Sequence, residues 1–216
     1  LEIRKVKKKA YVVVSADRGL AGSFNTNIFK VAEGEIAEFG KENVNLFCIG
    51  KKAQDYFKNR DYKIIKSYTD FWKNLNYENA VLIGKDIISH FTSKEVDQIQ
   101  VVYNYFINVA QQKVKSETLL PIVENENKNV KSDKLYEPSK IEIVESLIPR
   151  HLNIQVWKYL LESYASEQAA RMLSMENATS NAEDMIKDLT LEFNKARQAA
   201  ITTEMLEIVS GAEALS

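Results

Sequence analysis

A long stretch without any helix breaker dominates the C-terminal part of the sequence. Residues 150–210 contain neither glycine nor proline and are rich in Ala, Glu, Gln, Leu and Met, all of which favour helix. At about 1.5 Å per residue, this stretch predicts a single helix roughly 90 Å long. Such a helix is far longer than a domain of this size needs, so its length points to a task outside the domain.

The apolar residues of this helix follow a spacing of 3.5 residues, which is typical of a coiled coil. Ten of the twelve positions reached by alternate steps of four and three are apolar. These positions, called the seam below, are Leu161, Ala165, Gln168, Met172, Met175, Thr179, Ala182, Ile186, Leu189, Phe193, Ala196 and Ala200. Residues 1–149 contain no helix of matching length. A partner is therefore expected from another chain or from a segment before Leu1, and the chain is interpreted as a fragment.

Composition excludes several classes of protein. With 29 basic and 30 acidic residues the net charge is −1, so no overall field favours nucleic acid. The single cysteine, Cys48, excludes an internal disulfide framework and favours a reducing compartment. The sequence contains no run of 18 uncharged apolar residues, so it predicts no membrane-spanning helix. It does not open with a signal peptide pattern.

The first part of the chain predicts an α/β domain. Continuous apolar runs at 10–15 and 44–50 indicate buried strands. Residues 24–39 predict a helix between them that ends at Gly40 and completes a βαβ unit; its apolar face consists of Phe24, Ile28, Val31, Ile36 and Phe39. A short helix at 51–60, a strand at 62–68, a helix within 77–93 and long β structure with a turn near Gln111 follow. The predicted fold class is a Rossmann-like, mostly parallel sheet with flanking helices plus a long C-terminal coiled-coil helix.

Two further segments complete the predicted organisation. Residues 124–139 form a polar linker, and the alternation in "KIEIVES" (140–146) predicts an antiparallel strand with one exposed face. The domain prediction is accordingly a globular α/β domain at 1–148 and the long helix at 149–216.

The loop in "VVVSADRGLAGSFNTNIFK" (12–30) has the position of a nucleotide-binding loop but lacks its chemistry. A P-loop needs lysine and a hydroxyl residue after its second glycine, whereas Ser23 and Phe24 follow Gly22. The dinucleotide pattern G-x-G-x-x-G is also absent. The simpler interpretation is a strand-to-helix turn, in which Gly19 and Gly22 permit unusual backbone angles and Ser23 or Asn25 caps the helix.

Other candidate sites are weak. Asp17 and Arg18 are open to a catalytic interpretation, yet adjacent opposite charges in a loop favour a structural one. The two histidines, His90 and His151, lie far apart and lack companions at metal-ligand spacing. A G-x-S-x-G nucleophile motif is missing as well. No catalytic residue, cofactor or metal is expected.

Three stretches resemble the gamma subunit of F-type ATP synthases. "SADRGLAGSFN" is similar to the loop after that family's first strand of this domain, "YASEQAARMLSMENATSNA" to its C-terminal helix, and "ITTEMLEIVSGAEA" to its C-terminal signature. They occur in the family's order and spacing. The resemblance covers essentially the whole chain, apart from the family's N-terminal helix.

This resemblance implies a central stalk, the rotor shaft of a rotary motor. It implies a globular foot beside the epsilon subunit and the c-subunit ring, and an antiparallel coiled coil entering the head of alpha and beta subunits. By the same resemblance, Arg197, Gln198, Thr202 and Glu204 contact the head, and Asp17, Arg18, Gly19 and Leu20 form a loop with a structural or coupling role. The implied location is the cytoplasmic face of a bacterial plasma membrane, as a peripheral protein that neither spans it nor binds nucleic acid.

Two other functions remain open at this point. One is a small α/β nucleotide-binding enzyme, which nucleotide affinity tighter than millimolar would indicate. The other is an unrelated coiled-coil scaffold, for which helical self-association without alpha or beta subunits would be the sign.

Overall fold

A computed structural model describes residues 4–122 and 140–213, and the predicted linker at 124–139 lies outside these residues. The described residues contain a five-stranded sheet with the strand order β3-β2-β1-β4-β5. Strands β1 to β4 are parallel, and β5 pairs antiparallel with β4. The strands are β1 (Lys9–Val14), β2 (Val44–Ile49), β3 (Ile64–Tyr68), β4 (Gln98–Phe106) and β5 (Gln112–Leu120).

Helices cover both faces of the sheet, which accounts for the almost entirely buried strands β1 and β2. Helices α1 (Phe24–Phe39) and α2 (Lys51–Lys58) pack on one face. The opposite face is covered by α3 (Tyr77–Thr92) and by the early part of α4 (Lys140–Glu213). Strands β2 and β3 are added on one side of β1, and β4 and β5 on the other side.

The predicted fold class is confirmed, and so is the position of nearly every element. On α1, Phe24, Ile28 and Ile36 are buried as predicted. Val31 was placed wrongly on the same face, since it is 36% exposed. Phe29 and Ala32 take its place in the core because the buried face turns gradually around the helix.

The strand prediction for residues 140–146 is wrong, because these residues form the first turns of α4. Alternating apolar residues also fit a helix when the segment continues directly into a strong helix former, since helix propagation costs less than nucleation. Pro149, which the sequence placed at the helix start, lies inside α4. Its ring removes one backbone donor from this part of the helix.

The chain divides into two compact units, Leu1–Leu173 and Ser174–Ser216. The domain boundary at 148 stays a prediction, but the compact unit extends beyond it. The reason lies in the early part of α4. Its side chains Leu152, Val156, Tyr159 and Leu160 are part of the main core of the sheet. In the first unit, α4 is therefore a layer of the globular domain, whereas all the described residues of the second unit except the half-buried Ser174 and Asn194 are exposed.

Candidate functional site

The loop after β1 lies at the carboxyl edge of the parallel strands, where Asp17 joins three loops. One carboxylate oxygen of Asp17 accepts a hydrogen bond from the backbone amide of Lys51, which follows β2, at 2.8 Å. The other accepts from the amide of Asp70, which follows β3, at 2.9 Å. Asp17 thus connects the ends of β1, β2 and β3, and this geometry supports the structural interpretation of the loop.

The Asp17 carboxylate lies at the N-terminus of α2, where a phosphate would otherwise accept hydrogen bonds from the first amides of the helix. Helix N-termini bind anions because their first amides lack acceptors within the helix. In α2 those amides, at residues 51–53, donate instead to the Asp17 carboxylate, the Ala16 carbonyl at 3.1 Å and the Ser15 hydroxyl at 2.9 Å. The N-terminus of α2 therefore binds a carboxylate of the chain itself, Asp17, in place of an external anion. This argues against a nucleotide phosphate bound at the start of α2.

Only one of the two glycines in the loop has the unusual backbone angle that the sequence predicts. Gly22 has a φ of 53°, in the left-handed region, as predicted. Gly19 does not, and Leu20 adopts the left-handed φ of 63° in its place while its side chain is 78% exposed. The predicted side-chain cap of α1 is also wrong. Ser23 occupies the N-cap position, but its hydroxyl accepts from the Asn27 side chain at 3.1 Å and makes no capping bond. The Asn25 side chain instead accepts from the amide of Ala16 at 3.0 Å.

A part-buried ion pair on α4 contacts this loop. Arg171 donates to the Glu167 carboxylate at 2.6 Å and to the carbonyl of Gly19 at 3.4 Å. Burial raises the pKa of Glu167, and the hydrogen bond and charge of Arg171 oppose that shift. The loop is thus tied to α4 through Arg171, whereas Arg18 itself is exposed.

An open recess of about 530 Å³ lies beside the loop. Its lining mixes four cationic with three acidic side chains and an aromatic wall, so it provides no strong field for a phosphate. The lining residues are Asp17, Arg18, Lys51, Asp70, Trp72, Lys73, Tyr164, Glu167, Gln168 and Arg171.

The described residues of the second unit expose an unusual amount of apolar surface. Monomeric proteins rarely leave large apolar patches in water, so this surface indicates an interaction site. Each large apolar side chain along it is between 46% and 68% exposed. These side chains are Met175, Met185, Ile186, Leu189, Leu191, Phe193, Ile201, Met205, Leu206, Ile208 and Val209.

The four residues expected to contact other subunits lie within two helical turns on this exposed helix. Arg197, Gln198, Thr202 and Glu204 are all exposed. The Thr202 hydroxyl donates to the carbonyl of Gln198 at 2.9 Å, so it is available to a partner only as an acceptor. In the heptad set by the seam, Gln198 and Thr202 point away from it, while Arg197 and Glu204 flank it. Their contacts stay a prediction.

Over residues 4–122 and 140–213, no group of three or more His, Cys, Asp or Glu side chains could hold a metal ion. Within the same ranges, no helix combines the length with the apolar character needed to cross a bilayer.

Sequence reasoning missed the partners of this loop. Lys51 and Asp70 contribute only backbone amides, which carry no sequence signal. A buried polar residue that was missed, Asn104, did leave one, because it interrupts the apolar strand "VVYNYF" and is only 3% exposed. A polar side chain in a buried strand requires a partner, and the Asn104 side chain donates to the carbonyl of Phe24 at the start of α1, at 3.4 Å.

We expect Asp17→Ala to lower the free energy of unfolding by about 2 kcal/mol, because two amides lose a charged acceptor. Asp17→Asn keeps one acceptor oxygen and should cost about half as much. Urea unfolding followed by tryptophan fluorescence measures both, since Trp72 and Trp157 lie in the first unit. Equal and negligible losses would show that Asp17 does not hold the three loops together.

Comparison with known proteins gives a consistent result. A family model described as "ATP synthase" matches residues 1–215. The protein named ATP synthase gamma chain from Prosthecochloris aestuarii is 46% identical over 219 residues, covering 98% of this chain and 74% of the relative. The ATP synthase gamma chain of Chlorobium phaeobacteroides strain DSM 266 is 45% identical, with 98% and 75% covered.

Among solved structures, a chain of the Euglena gracilis mitochondrial ATP synthase has a similar fold, with a TM-score of 0.73 and 22% identity. The similarity covers 97% of this chain and 73% of that chain, and the structure is described as OSCP/F1/c-ring in rotational state 3. At this identity the likeness concerns the fold alone.

Proposed function

Since the chain belongs to the ATP synthase gamma-chain family, we propose that it is the central-stalk rotor subunit of an F-type ATP synthase. In this role it couples ion-driven rotation of the c-subunit ring to ATP synthesis in the head of alpha and beta subunits. The observation that carries the proposal is the exposed apolar helix at residues 174–213, whose seam requires a partner helix.

A shaft must resist bending and twisting, and two helices locked side by side are stiffer than one. The spacing of Ile186, Leu189 and Phe193 suits such a pair, because each lies on the seam. The partner that the family resemblance implies is a second long helix running antiparallel to α4. Pairing would remove this apolar stripe from water and stabilise the shaft in proportion to the area buried.

Near the tip, apolar side chains also occur off the seam. Ile201, Met205 and Ile208 follow one another at helical spacing on a different face and are each 46% to 67% exposed. A helix that is apolar on more than one face is enclosed on more than one side. This suits a shaft tip surrounded by the alpha and beta subunits.

The chain itself performs no chemistry in this proposal. The carboxylate best placed for it, Asp17, is occupied in holding backbone amides. Rotation would instead change nucleotide chemistry in the head through contacts that differ between its conformations. ATP hydrolysis by the purified chain, abolished by changes at Asp17 to Leu20, would contradict this part.

We place the subunit at the cytoplasmic face of a bacterial plasma membrane, as a peripheral part of the enzyme beside the epsilon subunit and the c ring. Gentle purification of the tagged protein from solubilised membranes, followed by identification of what accompanies it, tests the assignment. Recovery of alpha, beta, epsilon and c subunits is expected. Recovery of the protein alone, or only as a dimer of itself, would contradict it and favour a nucleotide-binding enzyme or a scaffold.

For the head contacts, we expect Arg197→Ala with Gln198→Ala to reduce ATP synthesis by about tenfold, which corresponds to a loss of about 1.4 kcal/mol and requires that one of the two residues is among the few that dominate the interface energy. Both side chains are exposed and lie outside the first unit, so its unfolding should not change. Synthesis rates in membrane vesicles and urea unfolding of the purified chain measure the two effects. Unchanged synthesis would remove both residues from the contact site.

A further inference from the structure

Strand β4 extends beyond its neighbour β1. The pairing of β1 with β4 ends at Val13 and Val102, whereas β4 remains paired with β5 as far as Phe106 and Gln112. The end of β4 therefore has backbone groups on the β1 side that the sheet does not satisfy. Buried backbone groups of this kind need partners from elsewhere in the fold.

Helix α4 supplies these partners from little more than one turn. The hydroxyl of Ser163 accepts from the Asn104 amide at 3.3 Å, and the hydroxyl of Ser166 donates to the Asn104 carbonyl at 3.3 Å. The carboxylate of Glu162 accepts from the Phe106 amide at 3.0 Å. Three side chains of one helix thus take the place of a neighbouring strand.

The two serine contacts lie in an almost dry environment, whereas the contact between Glu162 and Phe106 is half-buried. Ser163 is 1% exposed, Ser166 is 0% exposed and Asn104 is 3% exposed. Hydrogen bonds in such surroundings are costly to lose, because water does not replace the missing partner. The Asn104 side chain donates in addition to the carbonyl of Phe24 at 3.4 Å, which connects the same point to the start of α1.

Hydrogen bonds and apolar contacts constrain a helix differently. The apolar residues of α4 that cover the sheet, such as Leu152, Val156 and Leu160, attract without direction and tolerate small rotations or slips. The three polar contacts are directional. A shift by one residue would move α4 by about 1.5 Å and turn it by about 100°, which would break all three.

We propose that Glu162, Ser163 and Ser166 form a clamp that fixes the rotational phase and axial position of α4 on the sheet. Through this clamp, rotation of the globular domain passes to the helix, which continues from it to Glu213. The inference rests on the proposed rotor function. The three residues act as positioning residues, since they hold the shaft and contact no reacting group.

The first test uses the chain itself and does not depend on the rotor function. In Glu162→Ala with Ser163→Ala, we expect amide exchange at Asn104 and Phe106 to accelerate about tenfold, with exchange at Val101 and Val102 unchanged. Ser146→Ala is the matched control, because this exposed serine lies on the same helix and its hydroxyl donates to the carbonyl of Ile143, within that helix. Unchanged exchange at both amides, or equal acceleration throughout β4, would overturn the clamp.

The second test uses the assembled enzyme, with the shaft tip crosslinked to the head and a probe on the globular domain. Angular fluctuations of the probe report the torsional stiffness between the two points. We expect the distribution of probe angles to be at least twofold wider in the triple alanine variant at 162, 163 and 166 than in the wild type. Ser146→Ala should leave this distribution unchanged. Ser166→Ala alone, which removes a single donor, should widen it less and keeps the test usable if the triple variant folds poorly.

The outcomes separate the two proposals. If the wild-type chain does not assemble with the alpha and beta subunits, the rotor function fails and the exchange experiment alone judges the clamp. If the chain assembles and rotates but the variants fluctuate like the wild type, the clamp proposal fails while the rotor function stands.

Discussion

Replacement of Gly50 by alanine is expected to lower the free energy of unfolding by at least about 4 kcal/mol, enough to prevent folding of the first unit. A Cβ atom at this position would lie 2.2 Å from the carbonyl oxygen of Ser15 and 2.7 Å from its hydroxyl. Both atoms belong to Ser15, the buried residue that directly follows β1, so neither can move away cheaply. In addition, Gly50 has a φ of 95°, which other residues rarely adopt.

Gly40 provides a matched control because it has nearly the same backbone angle, with a φ of 102°. The nearest atom to a Cβ there is the carboxylate oxygen of Glu42 at 2.7 Å, at the end of a flexible side chain. Gly40→Ala should therefore cost only the backbone strain, about 1–2 kcal/mol. Urea unfolding followed by tryptophan fluorescence compares the two variants, and equal losses would show that contact with Ser15 contributes nothing.

The close approach at Gly50 also shows which features the sequence could predict. The helices and strands were predictable because their signals are local, as in the turn near Gln111 between β4 and β5. A βαβ arrangement and a fully covered sheet follow from the continuous apolar runs of β1 and β2. That Gly50 touches Ser15 depends on the packing of β2 beside β1, which no local pattern encodes.

The role of Asp17 was unpredictable for the same reason. Its two partners lie 34 and 53 positions further along the chain and contribute only backbone amides. Any residue types at those two places would serve equally well. The sequence therefore favoured a structural role for Asp17 but did not indicate what it holds.

The start of α4 was mispredicted because two local rules conflicted. Alternation in residues 140–146 favoured a strand, and Pro149 favoured a helix start. The helix nevertheless begins at Lys140, since extending an existing helix costs little and the packing of Leu152 and Val156 on the sheet fixes its direction.

For the shaft, we expect Leu189→Asp to reduce the amount of assembled enzyme at least a hundredfold. Leu189 lies on the seam, so assembly would bury it against the partner helix. Burying a leucine side chain contributes about 1.5–3 kcal/mol, and an aspartate there would add the cost of an unpaired buried charge. The lost burial of the leucine and the cost of the buried charge together exceed the roughly 2.8 kcal/mol that corresponds to a hundredfold change in an equilibrium constant for assembly.

Leu191→Asp is the matched control. Leu189 and Leu191 are 57% and 59% exposed in the chain by itself, so the two variants are alike in residue type, exposure and helix propensity. Two positions along a helix turn the side chain by about 200°, so Leu191 lies opposite the seam. We expect this variant to assemble nearly as well as the wild type.

Two measurements on each variant decide the matter. Helix content by circular dichroism of the purified chain should be the same for both, because neither leucine lies in the first unit. Recovery of alpha and beta subunits with the tagged protein should fall only for Leu189→Asp. Loss of assembly for Leu191→Asp alone would place the covered face opposite the seam, and equal loss for both would mean that the shaft is enclosed on all sides at this level. In either case the 3.5-residue spacing would no longer identify which face of α4 meets its partner helix.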